Sequence, residues 1–241
     1  MSSVLGISAF YHDSSATLIK NNNILFAAHE ERFSRIKHDN SFPSSAIKEC
    51  LKYANIEITD IDYIVFYEKP YLKFHRLLKT YIEHFPFGFI HFFSAMKEWI
   101  GFKLFLKKFI QKEISKNFNC KEKLTIYFSH HHLSHASSAF FPSPYKEAII
   151  LCIDGVGEWN TTTAWIGNQN KLSLVLSINF PHSLGLLYSA FTSYCGFKVN
   201  SGEYKLMGLA PYGKPIYYEL IKNKLIKVYQ DGTFKLNLKY F

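Results

Sequence analysis

Short apolar runs separated by polar turns open the chain. Val4–Ser8, Ala16–Lys20 and Ile24–His29 each have the length and composition of a strand. The three asparagines at 21–23 are typical of a turn, because Asn tolerates a left-handed backbone. The sequence therefore predicts that the chain begins as a three-stranded meander.

The same pattern of strand, polar loop, strand, asparagine-containing turn and strand recurs about 145 residues later. The later strands are predicted at Ala148–Asp154, Thr161–Ile166 and Leu172–Ile178. Two halves that begin alike favour an α/β protein with the duplicated actin-like ATPase or ribonuclease-H-like fold. By analogy with that fold, the loop after the first strand of each half faces a nucleotide or phosphate in the cleft.

The repeat predicts two subdomains, one over residues 1–145 with a helical insert at about 72–118 and one over residues 146–241. After its meander the second half lacks the later strand and helix units of the first, so we expect the second subdomain to be truncated. The other predicted elements are helices at about 43–53, 130–141, 183–194 and 216–227, strands at 62–67, 124–128 and 233–240, and a loop at 200–214.

Composition restricts the class of protein. A hydrophobic fraction of 48% with 12 Gly and 8 Pro excludes a disordered or fibrous chain. The four cysteines are scattered without a Cys-x-x-Cys pair, which excludes a disulfide framework or zinc ribbon and indicates a reducing, cytoplasmic compartment. Neither a signal peptide nor a transmembrane segment is expected, because charged residues interrupt every apolar run before it reaches ~18 residues.

Most of the basic excess lies in one segment. The chain has 28 Lys and Arg against 19 Asp and Glu, a net charge of +9, and residues 97–123 carry eight Lys against three Glu. Apolar residues recur there every three or four positions and predict one amphipathic helix: Trp99, Phe102, Leu106, Ile110, Ile114 and Phe118. A surface helix with solvated lysines is favoured, and a membrane-surface or partner helix is the alternative. Nucleic-acid binding is not expected, because the segment lacks Arg and no reader motif accompanies it.

A histidine-rich helix supplies the strongest chemical signal. His131 and His135 are four residues apart, which on a helix places two imidazoles on one face at a spacing that suits one divalent metal. His132 and His135 form a competing pair, and His130 is expected to point elsewhere. Asp154 ends an apolar strand and could add a carboxylate. Such a mixed set suits iron(II), zinc or manganese and leaves coordination positions open for substrate oxygen.

Two loops are candidates for phosphate binding and proton transfer. The backbone N–H groups of Gly155, Val156 and Gly157 could bind a phosphate, although a Gly-x-Gly loop alone is weak evidence. In the equivalent loop of the first half, His12 could act as a general base near neutral pH. Asp13 could orient His12 or bond the turn backbone, and the serines at 14 and 15 could donate to phosphate or cap the second strand. The mixed-charge run at 30–38 is expected to be a solvated edge or, less favoured, an anion-binding rim.

Six stretches together resemble the nodulation-type and cephem-antibiotic O-carbamoyltransferases. They are GISAFYHDSSATLI, HEERFSRIKHD, YEKPYLKFHRLLKTYI, HHLSHASSAFFPSP, IDGVGEWNTTT and GEYKLMGLAPYGKP. The resemblance implies an N-terminal actin-like domain related to the tRNA threonylcarbamoyl-transfer proteins. It also implies a separate C-terminal domain that makes carbamoyl-adenylate from carbamoyl phosphate and ATP.

The resemblance assigns roles to four residues. It implies a metal, typically iron, held by His131, His135 and Asp154, with His12 as the base that takes the proton of an acceptor hydroxyl. The acceptor would be a hydroxyl-bearing small molecule such as a sugar, an antibiotic or a lipo-oligosaccharide. Family chains are longer and carry a later aspartate ligand and the adenylate-forming domain, so we expect an incomplete enzyme that a separate C-terminal polypeptide could complete.

Two other functions remain open at this point. A non-catalytic remnant or binding subunit would keep the fold without the reaction. An actin-like nucleotide hydrolase would use phosphate loops and magnesium carboxylates, so the paired histidines argue against it.

Overall fold

Five strands of the first unit form one mixed sheet. The computed structural model describes residues 2–122 and 124–241, and the chain divides into two compact units between His131 and His132. The strands are β1 (Ser3–Ser8), β2 (Ser15–Lys20), β3 (Asn23–His29), β4 (Tyr63–Phe66) and β5 (Ile126–Phe128). Their order is β3-β2-β1-β4-β5, with β1, β2 and β3 antiparallel and β4 and β5 parallel to β1. This order is that of the ribonuclease-H-like fold, so the predicted fold class and opening meander are confirmed.

Helix α2 (Ser44–Ala54) packs one apolar face against this sheet. Its buried residues are Ala46, Ile47, Cys50 and Leu51, and they recur with helical spacing. The buried carboxylate of Glu30 accepts hydrogen bonds from the backbone N–H groups of Ser45 at 3.0 Å and Ala46 at 2.8 Å. The expectation of a solvated edge is therefore wrong at Glu30, because its charge satisfies the free N–H groups of the first turn.

The helical insert contains three helices, and the single amphipathic helix predicted from Trp99 to Phe118 is interrupted. Its helices are α3 (Pro70–Glu83), α4 (Phe89–Gly101) and α5 (Leu106–Phe118), and a four-residue helix α1 (Glu31–Ser34) precedes α2. Phe102 leaves the helical backbone at φ −142°, and a short 3₁₀ turn follows at Lys103–Phe105. Only α5 matches the predicted core-facing helix: it buries Leu106, Ile110 and Ile114. Lys123, which was counted in the basic segment, lies outside the described residues.

The second unit contains the repeated meander as a sheet of three antiparallel strands. They are β6 (Glu147–Ile153), β7 (Asn160–Asn168) and β8 (Lys171–Asn179), which confirms the three predicted strands. Helix α6 (His131–Phe140) precedes them, and its Phe140 ring packs so closely on β7 that a Cβ at Gly167 would lie 2.7 Å from it. The compact division between His131 and His132 places nearly all of α6 in the second unit, whereas the predicted subdomain boundary lay at 145/146.

The elements after β8 differ from the prediction in three places. They are α7 (Leu184–Tyr194), α8 (Glu203–Leu209), α9 (Tyr218–Lys224), β9 (Ile226–Val228) and β10 (Phe234–Leu236). A helix, α8, occupies part of the predicted loop at 200–214. The helix predicted at 216–227 ends at Lys224, because β9 pairs with β10 as a short hairpin. The strand predicted at 233–240 ends at Leu236, because the Asn237 side chain accepts the Lys239 N–H and starts a 3₁₀ turn.

Candidate functional site

The four histidines near the start of α6 have different surroundings. His130 lies just before the helix, and Lys69 Nζ donates to its Nε2 at 3.0 Å. His132 is 1% exposed, and its Nδ1 lies 2.8 Å from Thr163 Oγ1, which also accepts a hydrogen bond from Trp165 Nε1 at 2.8 Å. His132 is thus a core residue whose Nδ1 is hydrogen-bonded, and the choice between the His131–His135 and His132–His135 pairs stays a prediction.

His135 faces a carboxylate of its own unit. Its side chain is half exposed, and its Nε2 lies 3.8 Å from Asp154 Oδ2. This distance is too long for a hydrogen bond. Two ligand atoms that each lie ~2.0–2.2 Å from one ion are separated by about 3–4 Å, so the pair has the spacing of two ligands on one metal.

The loop after β6 is held by the start of α7. Asp154 Oδ1 accepts the Gly155 N–H at 2.6 Å. Ser183, which caps α7, donates its hydroxyl to the backbone oxygens of Asp154 at 3.1 Å and Gly155 at 2.6 Å. A Cβ at Gly185 would lie 2.5 Å from the Asp154 carbonyl, so α7 approaches this close only because residue 185 has no side chain.

His131 lies beside a partly buried carboxylate of the first unit. It is the first residue of α6, and its Nδ1 is 3.5 Å from Glu68 Oε2. Glu68 also forms an ion pair with Lys73. Burial raises the pKa of Glu68, but the hydrogen bond with His131 and the charge of Lys73 outweigh burial and bring the pKa below its ordinary value.

Sequence reasoning missed Glu68 as a candidate functional residue. It stands two residues after β4, a parallel strand, and the carboxyl ends of parallel strands are where ligand-binding side chains collect. A histidine that ligates a metal usually gives its other ring nitrogen to a carboxylate or carbonyl. Glu68 therefore has the position of an orienting partner for His131, with its carboxylate beside Nδ1.

A second cluster surrounds the loop between β1 and β2. Asp13 joins two imidazoles: its Oδ2 lies 2.9 Å from His12 Nδ1 and its Oδ1 lies 3.0 Å from His38 Nδ1. Glu31 Oε2 accepts the His38 backbone N–H at 3.0 Å. Burial opposes ionisation of Asp13, but hydrogen bonds with His38 and then His12 outweigh it and lower the pKa of Asp13. Of the two predicted roles of Asp13, the geometry favours orientation of His12, whose Nε2 is then the nitrogen available to take a proton.

The cluster of Asp13, Glu31 and His38 also has the spacing of a cation site. One ligand atom from each of the three lies within 4.8 Å of the others. All three atoms already serve hydrogen bonds inside the cluster, which explains the spacing without an ion.

Ser14 is fully buried in the same loop. Its N–H donates to the Asp39 carbonyl at 2.8 Å, and its carbonyl accepts the Glu30 N–H at 2.8 Å. Among the described residues its hydroxyl has no hydrogen-bond partner. The backbone of this loop is therefore fixed by its neighbours, and the Ser14 hydroxyl remains able to donate to a bound group.

In the loop at 155–157, the N–H groups of both glycines already donate hydrogen bonds within the chain. Gly155 donates to Asp154 Oδ1, and Gly157 donates to the Asn160 carbonyl at 2.9 Å. A phosphate bound there would have to replace these acceptors. The role of Gly155, Val156 and Gly157 in binding a nucleotide or phosphate stays a prediction.

Comparison with known proteins gives consistent matches over the chain. A family described as "Carbamoyltransferase N-terminus" matches residues 3–241. An uncharacterised protein from Synechocystis sp. is 56% identical over 243 residues, which cover 100% of this chain and 40% of that protein. Nodulation protein NolNO from Sinorhizobium fredii is 33% identical over 230 residues, covering 92% of this chain and 32% of that protein.

The chain thus spans about a third to two fifths of the length of these two relatives. Among solved structures, YeaZ from Pseudomonas aeruginosa matches with a TM-score of 0.35 and 9% identity, covering 75% of this chain and 68% of that one. The fold class follows from the strand order β3-β2-β1-β4-β5. In the described part of the chain, none of the helices has both the length and the apolar composition to cross a membrane.

Proposed function

The chain belongs to the carbamoyltransferase family, whose N-terminal domain it matches, and from this membership we propose that it transfers a carbamoyl group to an acceptor hydroxyl. The donor in this proposal is carbamoyl-adenylate, made from carbamoyl phosphate and ATP. His131, His135 and Asp154 hold a divalent metal, iron(II) by resemblance, and His12 is the catalytic base. The observation that carries the site assignment is the 3.8 Å approach of His135 Nε2 to Asp154 Oδ2.

The donor set supports a metal at these residues. His131 and His135 lie one turn apart on one continuous helix, and two imidazoles with one carboxylate suit iron(II). Such an ion, when bound, would polarise a carbonyl oxygen. Glu68 beside His131 and the Gly155 N–H on Asp154 are the outer contacts that orient ligands in metal sites.

In this proposal, the imidazole of His12, in the loop between β1 and β2, performs the proton transfer. His12 Nε2 takes the proton of the acceptor hydroxyl while Asp13 holds Nδ1, which fixes the tautomer. The hydroxyl oxygen forms a bond to the carbamoyl carbon, and the bond from that carbon to the phosphate oxygen of adenylate breaks. The products are the O-carbamoylated acceptor, AMP and a proton on His12, which passes to water. In this mechanism His12 would supply the base, and a metal held by His131, His135 and Asp154 would activate the electrophile when bound.

By resemblance to the family, adenylate formation would belong to a C-terminal domain or a separate polypeptide. We therefore propose that the chain transfers from preformed carbamoyl-adenylate and not from carbamoyl phosphate and ATP. The acceptor class remains a sugar, an antibiotic or a lipo-oligosaccharide hydroxyl. Nucleotide hydrolysis is the alternative function, and it would need a phosphate at Gly155–Gly157 in place of the present acceptors.

Metal loading of two histidine variants tests the site. His135→Ala removes a proposed ligand, whereas His130→Ala removes a neighbour whose ring contacts Lys69. After anaerobic loading with iron(II) and desalting, we expect His135→Ala to lose most of the bound metal and His130→Ala to retain the wild-type amount. Equal metal content in both variants would contradict the ligand assignment.

A transfer assay tests the reaction separately. The chain is incubated with synthetic carbamoyl-adenylate and sugar, cephem or lipo-oligosaccharide acceptors, and carbamoylated product is measured by mass spectrometry. Turnover with carbamoyl phosphate and ATP in the absence of any other polypeptide would contradict the proposed division of labour. Release of AMP or ADP from ATP without a carbamoylated product would favour the nucleotide hydrolase.

A further inference from the structure

The turn between α3 and α4 is exposed along its whole length. Every residue from Ile82 to His91 is exposed. Most of the large apolar side chains from 82 to 93 are more than half exposed, and we call them the aromatic tip: Ile82, Phe85, Phe87, Phe89, Ile90 and Phe93. Among the described residues, α4 buries none of its own and α3 buries only Pro70. Contiguous exposed apolar surface of this kind marks an interaction site.

The tip is built on an ordered hairpin. Phe74 packs on Trp99 at 5.7 Å and Tyr81 packs on Phe92 at 5.0 Å, so two ring pairs hold α3 and α4 antiparallel. Phe89 stacks edge-on with Phe93 at 5.0 Å, and Gly88 adopts the left-handed backbone (φ 78°) that the turn requires. The exposed rings are therefore displayed by a defined turn.

Charged residues are scarce near the tip and mostly basic in the rest of the insert. Between Lys79 and Lys97 the sequence has Glu83 and no other Lys, Arg, Asp or Glu. The insert as a whole, residues 70–118, carries nine basic residues against three acidic ones, which is six of the net +9. The segment 82–93 that carries the aromatic tip thus contains one Lys, Arg, Asp or Glu residue, Glu83, which forms an ion pair with Lys79 at 3.7 Å, and the rest of the insert is strongly basic.

We propose that the aromatic tip inserts into the surface of a lipid bilayer that carries anionic headgroups. Apolar and aromatic side chains at such an interface lie among the headgroups and upper acyl chains, and neighbouring lysines attract anionic lipid. Phe89 and Ile90 are adjacent on α4 and point about 100° apart, yet both are exposed. A bilayer surface covers a tip that is apolar on several sides, whereas a groove on a protein partner covers one face.

Vesicle binding of matched variants tests the proposal. The test variant is Phe87→Ser with Ile90→Ser, whose side chains are 81% and 82% exposed. The control is Tyr145→Ser with Ile216→Ser, an aromatic and an isoleucine of the second unit that are 68% and 73% exposed. Each protein is sedimented with vesicles of phosphatidylcholine alone and of phosphatidylcholine with phosphatidylglycerol, at low and high salt.

The expected result is binding of the wild type and the control to the anionic vesicles, weakened by high salt. The tip variant should bind at least about tenfold more weakly, because each substitution removes a large apolar side chain from the bilayer. Thermal melts establish that both double variants are folded. Absence of wild-type binding to anionic vesicles would overturn the proposal. Sedimentation velocity tests whether the tip instead binds a second copy of the chain. If the wild type forms a dimer that the tip variant cannot form, and the wild type does not bind lipid, the tip is a dimer interface.

Discussion

Replacing Gly185 with alanine perturbs the packing that holds Asp154 at the end of β6. The new Cβ would lie 2.5 Å from the carbonyl carbon and oxygen of Asp154 and 2.6 Å from the Gly155 nitrogen. These are backbone atoms of another segment, so the contact can be relieved only if α7 and the loop move apart. Overpacking of this kind costs ~1–3 kcal/mol. In a chain of this size that free energy lowers the thermal midpoint by roughly 2–12 °C.

Gly208 supplies a matched control in the same unit. It also lies in a helix, α8, and a Cβ built there meets none of the described atoms within 4 Å. Alanine at an unobstructed helix position stabilises by about 0.5–1 kcal/mol relative to glycine. The same chemical change is thus expected to have opposite signs at 185 and 208.

Thermal melts by circular dichroism and iron(II) content after anaerobic loading measure both consequences. We expect Gly185→Ala to melt lower than the wild type and to bind less metal, because displacement of the loop moves the Asp154 carboxylate relative to His135. We expect Gly208→Ala to melt slightly higher with unchanged metal content. If Gly185→Ala matched the wild type in both measurements, the close approach of α7 would not position Asp154.

Three further predictions concern the imidazoles and their carboxylates. Glu68→Gln should lower metal affinity by ~10–100-fold, because His131 loses its orienting carboxylate, and an iron(II) titration of the variant beside the wild type measures it. His12→Ala should reduce transfer from preformed carbamoyl-adenylate by ~10²–10⁴-fold with an unchanged melt, so unchanged transfer would remove His12 from the mechanism and a collapsed melt would make it structural. Since the pKa of Asp13 lies below its ordinary value of 3.8, ionised Asp13 stabilises the fold above that pH and the stabilisation is lost as the pH falls below it. The pH dependence of the thermal midpoint around pH 3.8 should therefore be flatter in Asp13→Asn, and identical curves would refute the assignment.

The strands could be predicted from the sequence because their signals are local. In β1 the buried Leu5 and Ile7 alternate with partly exposed residues, and Asn21 and Asn22 adopt the left-handed backbone expected of the turn before β3. The break between α4 and α5 could not be predicted, because the apolar spacing continues through it. The ring of Phe102 packs edge-on against Phe109 at 4.6 Å and against Phe10 at 5.2 Å. The contact with Phe10 joins the insert to the β1–β2 loop, which no local periodicity encodes.

The burial of Glu30 is another feature that the local sequence pattern could not predict. In the sequence it begins a run of alternating charges, a pattern that usually lies on a solvated surface. In the structure its carboxylate binds the N–H groups of Ser45 and Ala46, fifteen and sixteen residues away, and takes the place of a side-chain cap that Pro43 cannot provide. A buried charge is tolerated there because both carboxylate oxygens are hydrogen-bonded.

The histidines at the start of α6 show that residue spacing can indicate a candidate metal site without identifying which histidines would bind the metal. Spacing alone treats the pairs 131/135 and 132/135 as alternatives. His132 is almost fully buried, with its Nδ1 beside Thr163 of β7, while His135 is half exposed opposite Asp154. His131 gains Glu68 from the end of β4. The surroundings of each imidazole are thus set by a residue more than fifteen positions away in the chain, which the spacing within the run does not encode.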